Sequence, residues 1–142
     1  MHRCKNGRKF EKQIEKVLDY INSIGGHAHK NYAKRLEDGT YLQGEPFDYE
    51  AFVKNYHCVF DAKECQGPIW YMKDKDIKQA ENLKHCKNAG LNAYFLIYFE
   101  NKEVRQIDID NVIDVLKIGK KGIKKELGTE WKLLKVIGGK NK

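Results

Sequence analysis

The chain has 142 residues, the size of one domain, and a formal net charge of +7. Hydrophobic residues make up 41% of it and aromatic residues 11%, so a buried core is expected and disorder is excluded. The longest apolar run, residues 93–99, is too short to span a membrane, and no apolar stretch follows the charged N-terminus, so neither a membrane protein nor a secreted one is expected.

Phe10, Ile14, Val17, Leu18, Ile21 and Ile24 recur at helical spacing and predict a helix over 8–23, ended by Gly25-Gly26. A short strand is expected over 27–33. Residues 36–46 hold Asp38-Gly39, Gly44 and Pro46 and read as a turn or hairpin loop. Residues 47–53 and 57–63 are rich in aromatic and β-branched side chains around Lys54-Asn55, the pattern of an antiparallel hairpin. Residues 65–71, with Gly67-Pro68, read as a loop. A second helix is expected over 73–88, with Asp74 and Asp76 in its first turn and basic residues in its last, as the helix dipole favours. Gly90 then caps it. The apolar stretch 91–99 reads as a buried central strand, 103–107 as another strand and 110–116 as a short helix. The order α-β-β-β-α-β predicts an α/β fold, a mixed central sheet flanked by helices, as a single domain over 1–142.

The charge is uneven along this plan. Residues 117–142 hold nine lysines against Glu126 and Glu130, which accounts for the whole excess. A second basic cluster, Arg3, Lys5, Arg8, Lys9, Lys12 and Lys16, opens the chain. Basic ends around a neutral middle point to a polyanion, nucleic acid before an acidic membrane surface. Trp131, Leu133, Leu134, Val136 and Ile137 are too many apolar residues for a free tail, so 117–142 reads as a packed basic element rather than a loose arm. Cys4, Cys58, Cys65 and Cys86 form no C-x-x-C pair, which suits reduced thiols in a cytoplasmic protein. His2, His57 and His85 lie near three of these cysteines, but the spacing matches no standard zinc pattern, and buried or idle cysteines are the expectation.

The informative stretch is 44–64, GEPFDYEAFVKNYHCVFDAKE, a hairpin with acids inside apolar strands. Strand alternation puts Asp61 and Lys63 on one face, and Asp48 lies on the partner strand. A carboxylate in a half-buried strand costs free energy unless it is paired or binds a cation. Two readings follow. Asp48 and Asp61 can hold Mg²⁺, which takes one or two carboxylates plus substrate phosphate, with Lys63 orienting or deprotonating water or offsetting transition-state charge. Alternatively, the acids here form a structural ion pair such as Asp48–Lys63. The acid-x-Lys tripeptide decides nothing alone: Asp61-Ala-Lys63, Asp76-Ile-Lys78, Glu100-Asn-Lys102 and Glu130-Trp-Lys132 all occur, against roughly three expected by chance. Glu11, at the edge of the first helix's apolar stripe, either reaches inward through a metal-bound water or is an exposed charge paired along the helix. Gln79 either holds a water or phosphate by its amide or lies on the surface.

Gly7-Arg-Lys-Phe-Glu11, Phe47-Asp48-Tyr49, Phe60-Asp61-Ala-Lys63-Glu64, Ile77-Lys-Gln79 with Leu83, and Tyr94-Phe-Leu-Ile-Tyr-Phe99, in that order, resemble the RecU Holliday junction resolvases of the PD-(D/E)xK nuclease superfamily. The resemblance covers about 7–107. It implies a restriction-endonuclease-like core and a Mg²⁺- or Mn²⁺-dependent endonuclease that cuts four-way DNA junctions as a symmetric homodimer. It makes Glu11 the helix acid, Asp48 the first metal-binding acid, Asp61 and Lys63 the acid-x-Lys pair, and Gln79 the glutamine near the site. Family members carry a long stalk between early strands, whereas only 36–46 is available here, so the stalk is short or lost. A restriction- or repair-type nuclease on duplex DNA is therefore the alternative enzyme. The non-enzymatic alternative is a basic DNA-binding module with structural acids. In either case Arg8, Lys30, Lys34, Arg35, Lys120 and Lys121 are the candidate phosphate contacts, and Trp70 and Tyr71 either stack on a base or pack in the core.

Overall fold

The computed structural model describes the backbone of residues 3–31, 34–35, 41–42 and 47–138, and the side chains of residues 9–31 and 47–138. Helix α1 (Arg3–Ser23) starts five residues before the expected boundary. It buries Phe10, Ile14, Leu18 and Ile21, one stripe at three- and four-residue spacing. It ends where Gly25 takes a left-handed φ of 95°, a conformation that costs glycine little. Strand β1 (His27–Lys30) follows, shorter than expected. Next come the two-residue strands β2 (Lys34–Arg35) and β3 (Tyr41–Leu42), which pair antiparallel. The rest of the 36–46 loop lies outside the described residues.

The expected hairpin is strands β4 (Tyr49–Val53) and β5 (Tyr56–Cys65). Their link, Lys54-Asn55, has both residues at positive φ, 52° and 66°, the twist that a two-residue hairpin turn needs. The 65–71 loop needs correction. Ile69–Tyr71 is a strand, β6, since an Ile-Trp-Tyr run favours extended pairing once Pro68 is passed. Helix α2 (Asp74–Asn88), strands β7 (Asn92–Phe99) and β8 (Glu103–Asp108) and helix α3 (Ile109–Lys117) match the expected order. Strand β9 (Gly122–Lys124) was not expected, because three residues are too few to show a period; it pairs antiparallel with β6. Helix α4 (Lys132–Gly138) closes the described chain.

The main sheet runs β1-β4-β5-β7-β8, with β5 and β7 parallel and the other pairs antiparallel. In β7 the run Ala93–Ile97 is fully buried, because both faces of the sheet are covered there. One face packs Cys58, Phe60, Tyr94 and Leu96 against α1, Trp131 and Leu133. The other packs Val59, Phe95, Ile97 and Ile107 against side chains of α2 and α3. Phe60 stacks between Tyr49 and Tyr94, with ring centroids 5.1 and 5.0 Å apart, and Trp131 meets it edge-on at 5.7 Å. The Trp131 indole N–H donates to the Tyr94 hydroxyl at 2.8 Å, so the C-terminal segment is tied to the central strand. Among the described residues no helix is long and apolar enough to cross a membrane.

Candidate active site

Tyr49 and Phe60 are the last paired residues at one end of the β4–β5 ladder. One step beyond them the strands part, and there stand Asp48 and Asp61. The backbone N–H of Asp48 donates to Oδ1 of Asp61 at 2.6 Å, so the aspartate side chain takes the place of the next ladder carbonyl. The Asp48 carbonyl accepts from the Asn31 backbone N–H at 2.7 Å, which pins Asp48 from the other side.

Asp61 is 1% exposed, and its Oδ2 is buried with no hydrogen-bond partner. Burial, then the neighbouring Asp48 charge, push its carboxyl up to about 7, against the pull of the Asp48 N–H and of Lys63. Asp48 is also raised by burial, offset in part by Lys63, Lys30 and Lys75, while Glu11 adds to the rise. Two neighbouring acids that resist ionisation, one with an orphaned oxygen, fit a site for a hard divalent cation, which would relieve both costs. Among the described residues no group of three His, Cys, Asp or Glu side chains is arranged to hold a metal ion. Two carboxylates suffice for Mg²⁺ when water and substrate phosphate complete the shell.

Lys63 shares the Asp61 face of β5, the face toward α2. It makes a structural ion pair, but not with Asp48, so the expected partner is corrected. Its Nζ lies 2.9 Å from Oδ1 of Asp76, and Asp76 is only 5% exposed. Oδ2 of Asp76 in turn accepts the Lys73 backbone N–H at 2.9 Å, the reciprocal half of a helix capping box. Asp76 thus anchors the start of α2 and fixes the lysine at once. The sequence showed Asp76 only as a first-turn acid; no periodicity or spacing reveals a cross-element pair of this kind. Gln79, three residues on, shares that face of α2, and its buried Oε1 has no partner.

Glu11 lies at the margin. It is half exposed, and its Oε2 is 3.7 Å from Lys30 Nζ, so its pairing runs to β1 rather than along α1. Its charge still reaches Asp48 and Glu64, raising both. Lys30 also lies 5.7 Å from the centre of the Tyr49 ring. Lys120 and Lys121 are exposed. The side chains of Arg8, Lys34, Arg35 and Cys4 lie outside the described residues. Trp70 is a core residue at 6% exposed and packs on Phe95, whereas Tyr71 is 66% exposed. His57 hydrogen-bonds Glu50 at 2.6 Å, while Cys58 faces the opposite side of the sheet among the α1-side core, so strand alternation separates this histidine–cysteine pair.

A family model described as RecU, recombination protein U, matches residues 5–137. A search among curated proteins finds no match. Among solved structures the fold is similar to that of Hjc from Archaeoglobus fulgidus, described as a Holliday junction resolvase from an archaeal hyperthermophile. The TM-score is 0.58 at 17% identity, over 87% of this chain and 94% of that one.

Proposed function

The chain belongs to the RecU family, and on that premise we propose that it is a single-domain Holliday junction resolvase that hydrolyses DNA phosphodiesters with Mg²⁺, Mn²⁺ substituting. It is a nuclease. Asp48 and Asp61 are the residues that would hold the cation, with Glu11 as the further acid at its margin. When bound, it would supply Lewis-acid stabilisation of the charge that builds at the phosphoryl oxygens. Lys63, an ammonium bonded to Asp76, keeps its remaining N–H donors for the scissile phosphate or the attacking water. Gln79 offers its amide to the same space. Arg8, Lys30, Lys34, Arg35, Lys120 and Lys121 contact the flanking phosphates, and a two-fold homodimer sets two such sites against two strands of a four-way junction.

The observation that carries this reading is Asp61: a buried carboxylate with an orphaned oxygen, hydrogen-bonded to Asp48 and two residues from Lys63. Incubation with a four-way junction and a matched linear duplex in Mg²⁺, then in Mn²⁺, tests it. Selective cutting of the junction is expected, and no cleavage of either DNA with either metal overturns it. The short 36–46 segment, where the family's stalk stands, favours a second reading as a duplex nuclease. Equal cutting of both substrates would select that one.

A further inference from the structure

Tyr71 is the most exposed aromatic residue among those described, at 66%, although it follows a core tryptophan in a paired strand. It stands opposite Gly122 of β9. A Cβ built on Gly122 would lie 3.0 Å from the Tyr71 ring, so the ring rests against that glycine and is supported from behind. The Met72 N–H donates to the Lys121 carbonyl at 2.9 Å, which holds the turn before β9 beside the start of α2. Lys73, Lys75, Lys120 and Lys121 are all exposed, and Asp74 is the one exposed acid in those two segments. The patch adjoins the site: Tyr71 is five residues before Asp76, and the charge of Lys75 reaches Asp48.

We propose that Tyr71 stacks on a nucleobase that has lost its stacking neighbour at a DNA branch point, while the lysines around it hold the adjoining phosphates. The inference rests on the junction-nuclease reading above and names its recognition element. An exposed aromatic ring backed by a glycine, with exposed lysines in the two flanking segments, suits a base face beside a polyanionic backbone better than a protein or lipid partner. Inside a continuous duplex both faces of every base pair are covered by its neighbours, so away from the duplex ends a branch point is where the stack is interrupted and a base face is open to the ring.

The test uses the whole chain with EDTA present, so that binding is read without cutting. Wild type, Tyr71→Ala and Tyr71→Phe are titrated with a four-way junction carrying a fluorescent adenine analogue at the branch point, and with the matched linear duplex. Tyr71→Ala is expected to weaken junction binding about tenfold and to abolish quenching of the analogue, with Tyr71→Phe close to wild type. Duplex binding should change little in either variant. Unchanged junction affinity in Tyr71→Ala overturns the inference, as does an equal loss on junction and duplex. In both cases a wild type that binds and cuts the junction leaves the function reading standing. A wild type that binds neither DNA overturns the function reading and this inference with it.

Discussion

Nζ of Lys63 lies 2.9 Å from Oδ1 of Asp76, a contact between a central strand and the first turn of α2. Both side chains are largely buried, so neither is readily satisfied by water if the other is removed. The same carboxylate caps the helix through the Lys73 N–H, which couples the position of α2 to that of the lysine.

Asp76→Asn separates those two tasks. The amide oxygen still accepts from Lys73, so the fold should persist, with a lowered urea midpoint because the buried Lys63 loses its charged partner. The ion pair is lost, and Lys63 is no longer held. Single-turnover cleavage should fall about 10- to 100-fold while DNA affinity stays within about twofold, because positioning acts on the chemical step. Loss of affinity in step with rate would refute the positioning role. Lys63→Ala leaves Asp76 buried without its partner and should cost on the order of 3 kcal/mol, read by urea denaturation at neutral pH.

Asp48→Ala and Asp61→Ala should abolish cleavage while DNA binding is kept or strengthened, since a negative charge near phosphate is removed. Electrophoretic mobility shift in EDTA alongside a cleavage assay reads both. Equal loss of binding and cleavage in a folded variant would contradict the assignment.

The pH dependence of stability follows from Asp61. Its folded-state pKa, about 7, is raised above the ordinary 3.8 by burial first and by Asp48 second. The unfolded chain therefore ionises this acid more easily than the folded one. The stability linked to it is fully present below pH 3.8, falls as pH rises, and is gone above about 7. A tenfold difference in proton affinity between the two states is worth about 1.4 kcal/mol, so the loss amounts to a few kcal/mol. Thermal melts in EDTA should show this decline between pH 5 and 8 in wild type and not in Asp61→Asn. Adding Mg²⁺ should raise the wild-type Tm at pH 8 and leave it unchanged at pH 5, where the carboxyl is protonated. A Mg²⁺ response at pH 8 retained by Asp61→Asn would place the cation elsewhere.

The hairpin that presents Asp48 and Asp61 was legible because alternation and a two-residue turn are local signals, and so was α1 with its stripe from Phe10 to Ile21. The β6–β9 pair was not, since three-residue strands brought together from fifty residues apart leave no period to read. Asp76 was missed for the same reason: it is one of four acid-x-Lys matches, and only tertiary contact with Lys63 distinguishes it. Glu11 is half exposed, and its partner, Lys30, belongs to a strand whose register no local pattern fixes.

The lysines of the C-terminal part divide by what they touch. Lys125 is bonded to Glu100 at 2.8 Å and to Glu103 at 3.0 Å, and Lys135 lies 3.0 Å from Glu130. Among the described residues, Lys120 and Lys121 are exposed with no carboxylate within ion-pair distance. A lysine already neutralised by carboxylates releases few counterions when DNA binds, whereas an exposed one replaces them at phosphate. The double variant Lys120→Ala/Lys121→Ala should therefore weaken binding to junction and duplex alike and lower the slope of log affinity against log salt by about 2. Lys125→Ala should leave that slope unchanged. Affinities measured across a salt series separate the two, and an unchanged slope in the double variant would remove these lysines from the DNA path.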